Sequence, residues 1–119
     1  MFKPDKIIIH CSDSKNGVPV SVQEINKWHK KRGMSKIGYH YVIQPSGDRD
    51  VGRSMDEIGA HTKGKNMGSW GICLIGKDKF THQQFESLKL LVLELATKAF
   101  MFPHNMFNKN KTCPNISME

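Results

Sequence analysis

Two short apolar runs constrain the fold of this 119-residue chain more than any other feature. One is Asp5–Cys11, which carries Ile7, Ile8 and Ile9. The other is Trp70–Ile75, WGICLI. Both are of strand length, and the β-branched residues in them favour a pleated backbone. Runs this apolar read as buried strands, so the fold must supply layers that cover them.

The covering layers are legible as helices. Ser21 stands three residues before Glu24, the capping-box spacing. The helix it opens places Val22, Ile25, Trp28 and His29 on one face and Lys27, Lys30 and Lys31 on the other, and Gly33 ends it. A second, longer helix is capped by Thr81 and runs to about Phe100, before Pro103. Its stripe is Phe85, Leu88, Leu91, Val92, Leu95 and Ala99. Between the helices, Gly38–Gln44 alternates as a strand, and Pro45-Ser46-Gly47-Asp48 turns into a short strand at Arg49–Gly52. The Asn16-Gly17 dipeptide marks a turn after the first strand. Ser54–Ser69 reads as loop with a short helix at Met55–Ile58, and His104–Glu119 shows no regular pattern. The order β-α-β-β-loop-β-α predicts an α/β architecture, a central mixed β-sheet flanked by helices, with residues 1–119 as one domain.

A composition of 38% hydrophobic and 24% charged residues is that of an ordinary globular chain. No apolar stretch is long enough to span a membrane. Residues Met1–Lys6 lack the apolar core of a signal peptide, so synthesis in the cytoplasm is expected. The net charge of +7 favours a polyanionic partner such as nucleic acid, anionic lipid or an acidic wall polymer. The basic residues are dispersed, however, with no dense arm or aromatic-interleaved groove, which disfavours nucleic acid. Three cysteines cannot all pair within one chain, and free thiols or a metal role are expected rather than a disulfide framework.

His10, His104 and Cys113 are of the types that bind zinc, and three such ligands leave a fourth position for water. The bland readings stand beside this one. A histidine in an apolar strand is ordinarily a core residue, and a loop Lys111 is ordinarily solvated. Side chains alternate along a strand, so His10 and Cys11 face opposite ways, and Cys11 and Cys73 read as small core residues. Cys113 lies in the polar run Lys111-Thr112-Cys113-Pro114, where core burial is not expected. Tyr39 reads equally as a half-buried strand aromatic or a site residue. His29 reads as packing, His40 as facing away from Tyr39, His82 as exposed, and Arg53 as a surface arginine that could meet a substrate carboxylate.

The ordered blocks IIIHCS, GYHYVI, GAHTKGKN, SWGICLIG and H-x8-C-P resemble the zinc-dependent N-acetylmuramoyl-L-alanine amidases of type 2, which share their fold with peptidoglycan recognition proteins. The resemblance runs from about Lys6 to Pro114. It implies one catalytic Zn2+ held by His10, His104 and Cys113, catalytic roles for Tyr39 and Lys111, and substrate contacts from His61 and Asn66. It implies hydrolysis of the lactyl–L-alanine amide of bacterial peptidoglycan. The compact length and the lack of a signal peptide or separate wall-binding domain are those expected of an endolysin of phage or prophage origin, delivered by a holin or other lysis proteins, with a monomer as the default. In two respects the chain departs from the family pattern. The gap between His104 and Cys113 is nine residues rather than eight, which predicts a bulge around Asn108–Asn110. Only Asn115–Glu119 follow Cys113-Pro114, so a final helix is expected to be missing, with a cost in stability or groove length. Two other readings remain: a non-catalytic peptidoglycan-binding protein of the same fold, against which the retained Cys113 argues, and a basic nucleic-acid or regulatory-partner protein.

Overall fold

The computed structural model describes residues 4–98 and 107–109. Its strands are β1 (Lys6–Cys11), β2 (Tyr41–Ile43), β3 (Arg49–Val51), β4 (Ser69–Leu74) and β5 (Phe107–Lys109). The helices are α1 (Val22–Lys31) and α2 (His82–Lys98). The five strands form one sheet in the order β3-β2-β4-β1-β5. All neighbours are parallel except the β2–β3 hairpin, so the sheet is mixed, as the element order predicts.

The two apolar runs sit at the centre. β1 pairs with β4 on one edge, His10 lying opposite Cys73, and with β5 on the other, Ile9 lying opposite Lys109. Ile7, Ile9, Ile43, Trp70, Ile72 and Leu74 pack against Leu88, Leu91 and Leu95 of α2. On the opposite face, Val42, Cys73 and Ile75 pack against Ile25 of α1 and Ile37. The helical stripes therefore bury as read, although Ala99 lies outside the described residues.

Both helix starts are fixed by side chains. Ser21 Oγ accepts from the Glu24 amide at 3.1 Å. At α2, Thr81 Oγ1 accepts from the Gln84 amide at 3.0 Å while Gln84 Oε1 accepts from the Thr81 amide at 2.8 Å, a reciprocal capping box. Gln84 is buried, and its Nε2 donates to the carbonyls of Ile43 (3.2 Å) and Ile75 (2.8 Å), which pins α2 to the ends of β2 and β4. Gly33, at φ 91°, closes α1 in a left-handed conformation that favours glycine, and the Met34 amide reaches back to the His29 carbonyl at 3.1 Å.

Several expectations change. The strand read over Gly38–Gln44 is regular only at Tyr41–Ile43. The backbone of residues 38–40 bonds instead to an irregular segment: the Gly52, Arg53 and Ala60 amides donate to the carbonyls of His40, Tyr39 and Gly38. Gly38 and Gly52 permit this approach, because a Cβ on either would stand about 2 Å from the Ala60 or Tyr39 carbonyl oxygen. The short helix at Met55–Ile58 does not form. Its carbonyls are taken from outside: Trp70 Nε1 donates to Met55, His40 Nε2 to Glu57 and Arg53 Nη1 to Ile58. A 3-10 turn appears at Asn66–Gly68 instead. Phe107–Lys109 is a strand rather than irregular chain, because β1 offers an open edge there. The predicted bulge therefore does not fall on Asn108 or Lys109; Asn110 lies outside the described residues. Cys73 is a buried free thiol as expected. Cys11, at the last residue of β1 where a surface recess begins, is disulfide-bonded, contrary to the expectation of free thiols.

The packing on α2 is directly testable. Leu91 is 1% exposed and Leu93 is 58% exposed. Leu91→Ala should lower unfolding free energy by about 2–5 kcal/mol, and Leu93→Ala by about 0.5 kcal/mol or less, both read from urea titrations.

Candidate active site

The site builds outward from His10. Because Ile7 and Ile9 face α2, alternation turns His10 to the opposite face of β1. That face is shared by α1 and the loop Gly59–Asn66, and His10 emerges between them. Its ring centroid lies 5.4 Å from that of Tyr39 and 5.1 Å from that of His61. His10 Nε2 stands 3.0 Å from His61 Nδ1 and 3.0 Å from Thr62 Oγ1, and those two atoms are themselves 3.0 Å apart. Two imidazole nitrogens and a hydroxyl thus stand within hydrogen-bonding distance of one another, with donor and acceptor roles set by the imidazole tautomers.

The loop that brings His61 here is held by polar contacts. Asn66 Oδ1 accepts from the His61 and Thr62 amides, each at 2.9 Å. His40 is fully buried; its Nδ1 accepts from the Gly71 amide at 3.0 Å and its Nε2 donates to the Glu57 carbonyl at 2.7 Å. These bonds fix a neutral Nε2–H tautomer and lash the loop region to β4. Gly71 is a steric requirement, since a Cβ there would meet the His61 ring at 2.5 Å. A Cβ on Gly59 would meet the same ring at 2.6 Å.

Tyr39 is the second wall. Its ring lies edge-on to that of His29 at 5.2 Å, and His29 Nδ1 accepts from the Gly38 amide at 2.9 Å. Burial pushes the Tyr39 phenol well above its usual range, with a hydrogen bond to Cys73 adding to the shift, so at neutral pH it is a protonated donor. Burial likewise lowers His10 to about 4 and His61 to about 3; the neighbouring imidazoles also depress His61. Neutral imidazoles present lone pairs, the state a metal ligand requires.

The structure brings together four of the residues read from the sequence: His10, Tyr39, His61 and Asn66. His104, Lys111 and Cys113 lie outside the described residues. Among the described residues no cluster of three or more metal-ligating side chains occurs. Thr62 was missed, though it follows His61 in the block GAHTKGKN. Cys73 is a core thiol as read, yet it also contacts Tyr39. His40 faces the core, and His29 both packs and bonds, in line with the structural readings. His82 is exposed. Arg53 is not a free surface arginine: Nε donates to the Ile37 carbonyl at 2.9 Å and Nη1 to Ile58 at 2.6 Å.

Beside Tyr39 a recess of about 150 Å³ opens between α1 and the segment after β1, lined by Cys11, Ser12, Asp13, Ile25, Trp28, His29, Arg32 and Tyr39. A larger cavity of about 390 Å³ lies between Ser21–Gln23 and Arg49–Val51 and shares none of these residues.

Comparison with known proteins places this arrangement in context. The N-acetylmuramoyl-L-alanine amidase family profile matches residues 1–116. The chain is 35% identical to the endolysin of Klebsiella phage KP32, covering 96% of this chain and 82% of the relative. It is 36% identical to the endolysin of Escherichia phage T7, covering 97% and 83%. Among solved structures, the N-acetylmuramoyl-L-alanine amidase LysC from Clostridium intestinale superposes with a TM-score of 0.82 at 30% identity, covering 97% of this chain and 75% of that one. Wild-type Drosophila PGRP-LB gives a TM-score of 0.82 at 26% identity, covering 96% and 76%.

Two predictions follow from the geometry. Gly71→Ala should displace the His61 ring and cost about 1–3 kcal/mol of stability, seen as a lower urea midpoint and a shifted His61 NMR resonance. For pH, the folded-state values of His10 and His61 lie below the unfolded value of 6.5, so the unfolded chain binds protons first. Their contribution to stability is complete above about pH 6.5 and is lost as pH falls towards 4 and then 3, by up to about 1.4 kcal/mol per pH unit per imidazole. Denaturant titrations of chelated protein between pH 7 and 4 check the sign.

Proposed function

The chain belongs to the N-acetylmuramoyl-L-alanine amidase family, and from that membership we propose an endolysin that cleaves the lactyl–L-alanine amide of peptidoglycan with a single Zn2+. His10, His104 and Cys113 would hold the ion, within one catalytic domain spanning 1–119. The observation that carries this reading is the pairing of β5 with β1. β5 lies three residues after His104 and four before Cys113 in the chain, and it runs beside the strand that ends in His10-Cys11. Chain connectivity limits His104 to about 11 Å from Phe107 and Cys113 to about 14 Å from Lys109. Both can therefore reach His10.

The donor set fits the ion. His10 is neutral and presents a ring nitrogen, and two imidazoles with one thiolate leave a net charge of +1 and an open position. Zinc held there would supply Lewis-acid chemistry, activating water as the nucleophile and polarising the scissile carbonyl. The protein's own residues supply the rest. Tyr39, held as a protonated phenol 5.4 Å from His10 between ring centroids, donates a hydrogen bond towards the reacting centre. Such a donation requires the phenol to exchange its Cys73 partner for substrate. Lys111 would add positive charge where the oxyanion develops. His61 and Thr62 close one side of His10, and Asn66 shapes the loop that carries them. Substrate contacts from His61 and Asn66 are part of the proposal.

The endolysin role rests on the phage relatives. Among the described residues no helix is long and apolar enough to cross a membrane. Access to the wall through a holin-type lesion and action as a monomer are part of the same proposal.

A thiolate ligand requires reduced Cys113, so the test uses reduced protein. One equivalent of zinc by elemental analysis is expected, with Cys113→Ser losing the metal and wall-clearing activity together. New L-alanine amino termini should appear without new reducing sugar ends. Full turbidity loss by Cys113→Ser, or after exhaustive chelation, would sink the zinc mechanism. Tyr39→Phe should lower kcat about 10²-fold or more while leaving zinc content unchanged.

A further inference from the structure

We propose that Arg32 is a specificity-determining residue that takes a free carboxylate of the stem peptide in the recess beside His10. This inference rests on the amidase reading and names what one part of that site recognises.

Arg53, which the sequence reads as a surface arginine able to meet a substrate carboxylate, is engaged elsewhere. Its guanidinium is committed to the backbone, donating to the Ile37 and Ile58 carbonyls. Arg32 is in the opposite condition. It caps α1 through its backbone amide, which donates to the His29 carbonyl at 3.1 Å, so its side chain is not needed to end the helix. That side chain is exposed and lines the recess with Asp13, Trp28, His29 and Tyr39. Among the described residues it makes no ion pair. Its charge is felt inside the recess, where it contributes to lowering His29 and works against the upward shift of Tyr39.

The recess is also in the right place. Tyr39 forms part of its wall and stands 5.4 Å from His10 between ring centroids. An extended peptide advances about 7 Å in two residues and about 10 Å in three. A chain leaving the scissile amide can therefore bring a second- or third-residue carboxylate to the recess. Stem peptides carry free carboxylates in that range, on a γ-linked glutamate or on a diamino diacid. An unpaired guanidinium is the side chain best suited to accept one, through two parallel N–H bonds. Asp13 lies on the same recess but forms no ion pair with Arg32, which leaves it to face water or a peptide N–H. The Trp28 indole offers an apolar floor, its Nε1–H being directed to Glu24 at 3.1 Å.

The experiment uses soluble muramyl tripeptides whose second-residue carboxyl, third-residue carboxyl, or neither is converted to the amide. Wild type and Arg32→Gln are compared, with Arg32→Lys as the conservative variant. Wild type should favour the free carboxylate at one position by about tenfold in kcat/KM. Arg32→Gln should erase that preference through KM, with kcat and the rate on the amidated peptide unchanged, and Arg32→Lys should keep part of it. The position at which the preference disappears identifies the carboxylate. Equal slowing of free and amidated substrates would assign Arg32 a merely structural role and overturn the proposal, as would undiminished preference in Arg32→Gln. Either result leaves the amidase reading standing. Failure of wild type to cleave any of the peptides would overturn the amidase reading, and this inference with it.

Discussion

Everything in this molecule depends on the double pairing of β1. That strand is hydrogen-bonded to β4 on one edge and β5 on the other. Its isoleucines are buried on both faces, Ile7 and Ile9 under α2 and Ile8 on the opposite side. A strand held on four sides has no freedom to slip register, because a one-residue shift would carry His10 into the α2 core. The register that satisfies the isoleucines therefore also fixes the imidazole. It is desolvated enough to stay neutral, yet placed at the end of the strand where the covering layers part.

The face around His10 is covered in two different ways, and the difference creates the site. Over Val42, Cys73 and Ile75 the cover is α1, and the contact is apolar. Over Gly71 the cover is an irregular loop, and the contact is polar: His40, His61, Thr62 and Asn66 bond to each other or to backbone. A helix could not lie as close to β4 as the His61 ring does, because only a glycine strand position admits a ring at that distance. The seam between the apolar and the polar cover is where Tyr39 stands, one flank on His29 and the other on His10.

The sequence made the sheet centre and both helices legible because burial writes a period into the chain. Leu88, Leu91 and Leu95 recur at helical spacing, and the isoleucine run has no other stable reading. β5 was illegible for the converse reason. Phe107-Asn108-Lys109 carries no alternation, and its strand geometry comes from the open edge of β1. The helix expected at Met55–Ile58 failed through competition for its carbonyls, two of them claimed from a distance in sequence by Trp70 and His40 and a third from close by through Arg53. Within the site, His10, Tyr39, His61 and Asn66 were found through their motifs. Thr62 was not, because a threonine beside a histidine carries no signal until its hydroxyl is seen 3.0 Å from His10 Nε2. Arg53 read as a surface arginine because its engagement with the Ile37 and Ile58 carbonyls leaves no trace in composition.

The electrostatics of the site follow a division of labour. Its histidines are all pushed towards neutrality, first by burial, and at His29 and His40 also by the positive charges of Arg32 or Arg53. Imidazole charge is thus removed from the working pH range, and what remains are lone pairs and N–H donors of fixed character. Positive charge comes instead from Arg32 and from the exposed Lys63 and Lys65 on the loop beside His61. In the proposed amidase, an anionic polymer would be attracted by arginine and lysine side chains while the imidazoles around His10 stay neutral. If the histidines carried the attraction, the same protonation that recruited substrate would take away the lone pair that the proposed zinc site asks of His10. Separating the two functions onto different residue types removes that conflict.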